Sequence, residues 1–206
     1  MFIGGPHWTV ELGRRDSLEA SLVAANQFIP TPNSTLDILI ANFEAQGSHT
    51  IGRSRCLSFK QRLYDEETDS SAFNEVDHHH KRSSMFRRIL RSICPSSGKR
   101  DNALVPLDFR TSTKFDNAYY LNLLEGKGLL ESDNVLLSNH DQDPAIAAAA
   151  GGGGEAAKLV WAYASSQHRF FEEFAVSMVK MGRINPLTGE EGQIRHNCRT
   201  KGIEED

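Results

Sequence analysis

The sequence predicts a mainly α fold, and three observations carry that expectation. Apolar residues recur at helical spacing in several separate segments, most clearly where Phe171, Phe174, Ala175 and Met178 form one stripe. The one alternating stretch, Trp8 to Leu12, is weak and breaks into a polar, glycine-containing turn over Gly13 to Ser17. Glycine and proline punctuate the periodic segments at Pro30, Pro32, Gly47, Gly126, Gly128 and Gly182, where helices stop.

In chain order, the first helix is expected over Leu18 to Asn26, ended by Pro30 and Pro32. A second begins at Ser34, where Ser34 and Asp37 have capping-box spacing, and Leu36, Leu39, Ile40 and Phe43 form its apolar face up to Gly47. Asp65 to Lys81 is acidic, then histidine-rich, without an apolar period, and reads as a loop. Met85, Phe86, Ile89, Leu90 and Ile93 mark the next helix, and Pro95 to Asn102 is again a loop. Asn117 to Leu124 forms a short helix that Gly126 and Gly128 close. Ala145 to Gly154 is an alanine and glycine tract whose four consecutive glycines cost too much backbone entropy for a helix, so a surface loop is expected. Helices resume on both sides of Ser165, and Gly182 stops the last.

A chain of 206 residues fits one large domain or two small ones. With a charged fraction of 24% and a formal net charge of −4, no basic surplus exists to neutralise a phosphate backbone, which argues against nucleic acid as a partner. No stretch approaches the length of a membrane span, and Met1 to Pro6 lacks the basic start and apolar run of a signal peptide. Cys56, Cys94 and Cys198 form an odd set, either buried thiols or a disulfide with one cysteine left over.

Three features stand out as candidate chemistry: Ser48-His49-Thr50-Ile51-Gly52, the stretch Asp108 to Asp116, and the carboxylate of Asp133. A lone histidine beside a helix end is commonly a structural residue rather than a ligand. Asp108, Thr111, Thr113 and Asp116 concentrate hard oxygen donors in a short loop, which suits Ca²⁺, although turns are rich in these residues and the spacing is not that of an EF-hand. His78-His79-His80 diverge in a loop and do not complete a rigid metal site, and Gly151 to Gly154 lacks the lysine and hydroxyl residue of a phosphate loop.

Several long motifs in one order then carry a resemblance. Gly5-Pro6-His7-Trp8, Leu12-Gly13-Arg14-Arg15-Asp16-Ser17, Ala25-Asn26 and Ile29-Pro30-Thr31-Pro32 open the series, and His49-Thr50-Ile51-Gly52 with Arg55-Cys56 follows. Phe115-Asp116-Asn117, Tyr119-Tyr120, Asn122-Leu123, Lys127-Gly128-Leu129-Leu130 and Ser132-Asp133 continue it. Phe170-Phe171, Phe174-Ala175, Met178 to Gly182, Pro186 to Gly189, Gly192 to Arg195 and Asn197-Cys198-Arg199 complete it. Across nearly its whole length the chain resembles the class III plant peroxidases, secreted haem enzymes that oxidise phenols with hydrogen peroxide. The match is to the carboxyl-terminal, proximal half of that helical fold, so residues 1–206 are expected to be a partial peroxidase domain with loop insertions at about 65–81 and 141–154.

The resemblance implies haem b with His49 as axial ligand and Asp133 as the carboxylate accepting its other ring N–H, which makes the imidazole more electron-donating. It implies Ca²⁺ held by Thr50, Asp108, Thr111 and Asp116, with Lys114 giving only its backbone carbonyl. It pairs Cys56 with Cys94, a cross-link worth about 3–4 kcal/mol in the chain-entropy model, and leaves Cys198 a free thiol. Pro30 falls in the segment lining the aromatic-donor entrance, and Asn33-Ser34-Thr35 is a glycosylation sequon. The implied partners are hydrogen peroxide and small phenolic donors, with no nucleic acid and no membrane, in a monomer. The implied location is extracellular or vacuolar, whereas the visible amino terminus reads as cytosolic.

The sequence departs from the family pattern in two places. The distal histidine and arginine that would move the peroxide proton and stabilise charge belong to an amino-terminal half whose motifs are not in this sequence. About ten residues expected between Gly47 and Ser48, forming the helix that carries the proximal histidine, are also absent. Weak or no turnover, an exposed apolar face and marginal stability are therefore expected. The alternative is a non-catalytic Ca²⁺- or haem-binding fragment or relic.

Overall fold

The structure, a computed structural model, describes residues 3–29, 31–32, 49–64, 77–137, 154–197 and 199, the side chains at 28, 77–84 and 155 excepted. Outside these lie Pro30, the sequon at Asn33, the helix expected from Ser34 to Gly47, Ser48 and the junction before it, the loop up to Val76, most of the alanine and glycine tract, and Cys198. Two compact units are formed, one from Met1–Gly5 with Pro30–Phe170 and the other from Pro6–Ile29 with Phe171–Asp206.

The described residues are mostly helical, with one small antiparallel sheet. Its strands β1 (Arg53–Arg55) and β2 (Leu104–Pro106) pair Arg53 with Pro106, Ser54 with Val105 and Arg55 with Leu104. The pairing extends past both ends of the strands. Leu107 N–H donates to the Gly52 carbonyl at 3.1 Å, and the amides of Cys56 and Leu57 donate to Ala103 and Asp101 at 3.0 Å each. This clip lays the segment after His49 along the segment before Asp108. Periodicity did not predict it, because three residues are too few to show alternation.

Beyond β1 the chain makes a 3₁₀ turn at Cys56–Ser58 and two helices, α2 (Lys60–Tyr64) and α3 (Asp77–Ile93). Cys56, Phe59, Leu63, Phe86, Leu90, Cys94, Val105, Leu129 and Leu130 form the core they enclose. Cys56 and Cys94 are joined as a disulfide inside it, as the resemblance implies. Arg91 satisfies the end of α2 by donating through Nε and Nη2 to the Leu63 carbonyl at 2.8 and 2.6 Å. Helix α3 corrects the expected loop over 65–81: it starts at Asp77, so the histidine run is its first turn. Once Met85 to Ile93 are helical, each further turn adds hydrogen bonds without a new nucleation cost, so the helix runs beyond its apolar pattern.

Helix α4 (Ala118–Leu124) buries Ala118, Tyr119, Tyr120, Asn122 and Leu123. It ends where Gly126 takes φ +67° and the Lys127 amide returns to the Asn122 carbonyl at 2.8 Å. The short α5 (Glu131–Asn134) follows, then a 3₁₀ turn at Val135–Leu137. Gly128, just before α5, permits a close approach, since a Cβ there would meet the Asn134 amide at 2.8 Å and Leu123 at 2.9 Å.

Helix α6 (Glu155–Ser165) packs on α4 through Ala156, Ala157, Val160 and Ala164, small residues that let the helices come close. Asn117 caps its last turn, donating through Nδ2 to the carbonyls of Tyr163 and Ala164 at 2.9 and 3.0 Å. Helix α7 (Gln167–Gly182) leaves the first unit after Phe170. Phe170 is buried against Tyr120 and Tyr163 and stacked on Phe115 at 5.8 Å, whereas Phe171, Phe174, Ala175 and Met178 of the apolar stripe are half-buried.

In the second unit, helix α1 (Leu22–Phe28) starts later than its apolar pattern. Ser21 Oγ accepts the Ala24 amide at 3.1 Å and caps it there, four residues past Leu18. Arg15 and Asp16 pair with Leu187 and Gln193, and Trp8 meets Phe174 edge to face at 5.8 Å. Leu12 is 92% exposed, and Leu22, Val23, Ile184 and Ile194 are exposed with it.

Candidate functional site

In the first unit, the fold brings His49 to Asp133 across 84 positions of sequence, with Nδ1 and Oδ1 2.8 Å apart. Asp133 is buried, and each of its oxygens is engaged: Oδ2 accepts the Leu130 amide at 2.9 Å, and Oδ1 also accepts the Tyr119 hydroxyl at 2.9 Å. The carboxylate at the third residue of α5 thus reaches back to the amide before the helix, the half of a capping box that fixes its rotamer. The His49 side chain is 43% exposed, Nδ1 is committed to Asp133, and Nε2 has no hydrogen bond among the described residues. Burial pulls the imidazole pKa down, but the hydrogen bond and charge of Asp133 outweigh it, and the net shift is upward. Burial first, then the Asp133 charge, hold the Tyr119 phenol well above the usual tyrosine range, so it remains a donor.

Adjacent to this pair, the β1–β2 clip and the start of α4 gather oxygens around Thr50, Asp108, Thr111 and Asp116. Thr50 Oγ1 donates to the Asp116 carbonyl at 2.6 Å and accepts its amide at 3.0 Å. Thr111 Oγ1 sits 3.0 Å from Asp108 Oδ2 and 2.9 Å from Asp116 Oδ1. Asp108 Oδ1 accepts the Arg110 amide at 2.7 Å and Asn122 Nδ2 at 2.6 Å. Thr50, Asp108 and Asp116 are buried, and an ammonium near them, Lys114 Nζ at 3.7 Å from Asp116 Oδ2, is on a side chain 63% exposed. Lys114 itself closes a turn, its amide on the Thr111 carbonyl at 2.9 Å. Among the described residues, no group of three or more His, Cys, Asp or Glu side chains is arranged to hold a metal.

A family model described as Peroxidase matches residues 1–151. The chain belongs to the peroxidase family. It is 51% identical to Peroxidase 20 of Arabidopsis thaliana over 97% of this chain and 58% of that protein. It is 44% identical to Peroxidase 15 of the same plant, over 95% and 55%, and 42% identical to Peroxidase 4 of Vitis vinifera, over 96% and 57%. The chain thus spans somewhat over half the length of the curated relatives it matches, and its resemblance to plant class III peroxidases stands.

The plant peroxidases imply haem and calcium as a family, and the donors present here fit both. For haem, the test is a histidine with one nitrogen fixed by a carboxylate and the other without a partner among the described residues, which His49 meets. For calcium, the two buried carboxylates are joined by neutral oxygens rather than by further acids, a mixture that suits a hard cation. Asn122 Oδ1, buried and without a hydrogen bond among the described residues, leaves this cluster with an unmatched acceptor.

Two residues of the site were not anticipated. Tyr119 and Asn122 lie in the run Ala118 to Leu124, whose sequence reads as an apolar helix face. The signal available was the polar end each carries on a face destined for burial, which requires a partner. Which partner it finds is set by long-range packing.

Proposed function

We propose that these residues form the proximal side of a haem peroxidase that uses hydrogen peroxide to oxidise small phenolic donors. His49 would hold the iron of haem b, while Asp133 holds the Nδ1 proton and would keep the imidazole electron-rich. Bound there, the haem would supply the redox chemistry that reduces peroxide and draws electrons from the phenol. Thr50, Asp108, Thr111 and Asp116, with the Lys114 carbonyl, hold Ca²⁺ and fix the residue next to the iron ligand. Pro30, outside the described residues, is assigned to the donor side by the family resemblance alone. The buried Cys56–Cys94 disulfide suits an oxidising compartment, which supports an extracellular or vacuolar location.

The observation that carries this reading is the His49 to Asp133 hydrogen bond at 2.8 Å, with the carboxylate buried and the imidazole half-exposed. Titrating the full chain with hemin in the presence of Ca²⁺ tests it. A saturable Soret shift is expected, lost in His49→Ala and weakened about 10- to 100-fold in Asp133→Asn. A shift that survives His49→Ala, or none at all, overturns the assignment.

Peroxide cleavage also needs a base and a cation beside the peroxide, and among the described residues none is assigned to either role. That motivates a second reading, haem and Ca²⁺ binding without turnover by these 206 residues alone. It predicts the same titration but no phenol oxidation dependent on His49, whereas such oxidation would return the catalytic reading.

A further inference from the structure

We propose that Tyr119 is a positioning residue that sets the strength of the His49–Asp133 hydrogen bond, and through it the electron donation of His49 to a bound metal. The second half of this statement rests on the haem reading above; the first does not.

Three contacts lead to it. The phenol and the imidazole donate to the same oxygen, Asp133 Oδ1, at 2.9 and 2.8 Å, while Oδ2 is occupied by the Leu130 amide at 2.9 Å. Two donors on one oxygen compete: the negative charge polarised toward the phenol proton is not available to the imidazole proton. Tyr119 and Asp133 are both buried, so the interior has little screening to blunt that competition. The Tyr119 ring also meets the His49 ring edge on, with centroids 5.9 Å apart at 70°, so one side chain limits both the orientation of the imidazole and the charge it feels. A purely structural phenol in this pocket would be satisfied by any acceptor. This one is directed at the oxygen that holds His49.

Removing the hydroxyl should concentrate the charge of Asp133 on His49, shortening their bond and giving the imidazole more anionic character. Strengthening the phenol as a donor should do the opposite. The full chain, labelled with ¹⁵N-histidine and saturated with Ca²⁺, reads this directly through the Nδ1 proton of His49, assigned by its loss in His49→Gln. Tyr119→Phe should move that proton downfield, and 3-fluorotyrosine placed at position 119, which preserves the fold while making the phenol more acidic, should move it upfield. Opposite shifts support the proposal. No shift, or shifts of the same sign in both, overturns it, and the fluorinated chain answers the question if Tyr119→Phe does not fold.

The metal-dependent half is read in the ferrous hemin complex by resonance Raman. The iron–imidazole stretch should rise in Tyr119→Phe and fall with fluorotyrosine. A His49-dependent stretch that stays fixed in both variants overturns this half. Opposite proton shifts without any His49-dependent iron stretch would instead sink the haem reading, while upholding control of the histidine hydrogen bond by Tyr119.

Discussion

Thr50 holds Asp116 by both backbone groups, its hydroxyl accepting the Asp116 amide at 3.0 Å and donating to the Asp116 carbonyl at 2.6 Å. The residue beside His49 is thereby tied to the residue that opens the α4 segment, and the cation candidates are coupled to the histidine by one peptide bond. Replacing Thr50 with valine keeps the shape and strands two buried backbone groups. We expect a loss of about 1–3 kcal/mol, read as a lower urea midpoint with an unchanged slope. An unchanged midpoint would show that the hydroxyl is dispensable.

Calcium should stabilise the first unit, because the oxygens of Asp108, Thr111 and Asp116 are assembled in the fold and dispersed when it is lost. At a free concentration about 100-fold above the dissociation constant the gain is about 2.7 kcal/mol. Thermal unfolding in excess Ca²⁺ and in excess chelator should differ in midpoint, and Asp108→Asn should shrink the difference. Equal midpoints would count against calcium at this position.

The His49 pKa gives a pH dependence with a definite sign. Burial lowers it, but the Asp133 hydrogen bond and charge raise it further, so the folded value lies above the ordinary 6.5. The charged pair therefore contributes its full stabilisation below about pH 6.5 and loses it as pH rises through the higher folded value. Urea midpoints of the metal-free chain and of His49→Gln should converge as pH increases through that window. Divergence with rising pH would contradict the sign.

The disulfide should matter more than its size suggests. Cys56 and Cys94 sit in the core with Phe59, Leu63 and Leu90, and close a loop of 38 residues. Replacing both with alanine should cost about 3–4 kcal/mol in the chain-entropy model, together with some loss of core packing. A thermal midpoint within error of the parent would mean the core alone holds β1 to the end of α3.

The elements legible in the sequence are those where periodicity has room to repeat. Met85 to Ile93, Asn117 to Leu124 and the run to Gly182 were read as helices, and are helical. The strands at Arg53 and Leu104 were not, because pairing between distant three-residue segments leaves no local trace. Nor was the start of α3 at Asp77, where the histidine run carries no apolar face. The site was legible in a different way. His49, Asp133, Thr50, Asp108, Thr111 and Asp116 could be named from the order of motifs, and the fold places the first two together and gathers the other four. Tyr119 is visible in the sequence only as part of a motif, since an aromatic in a buried helix gives no hint of which carboxylate its hydroxyl will find.

The 84 positions separating His49 from Asp133 also impose a timetable. A ribosome adding about 5–20 residues per second makes the histidine about 4–17 s before its carboxylate exists. For shorter parts of that interval Thr50 also lacks Asp116, 66 positions on, and Cys56 waits for Cys94, 38 positions on. The imidazole is therefore born without the partner that orients it, and the nascent chain can assemble this site only after α5 has been synthesised.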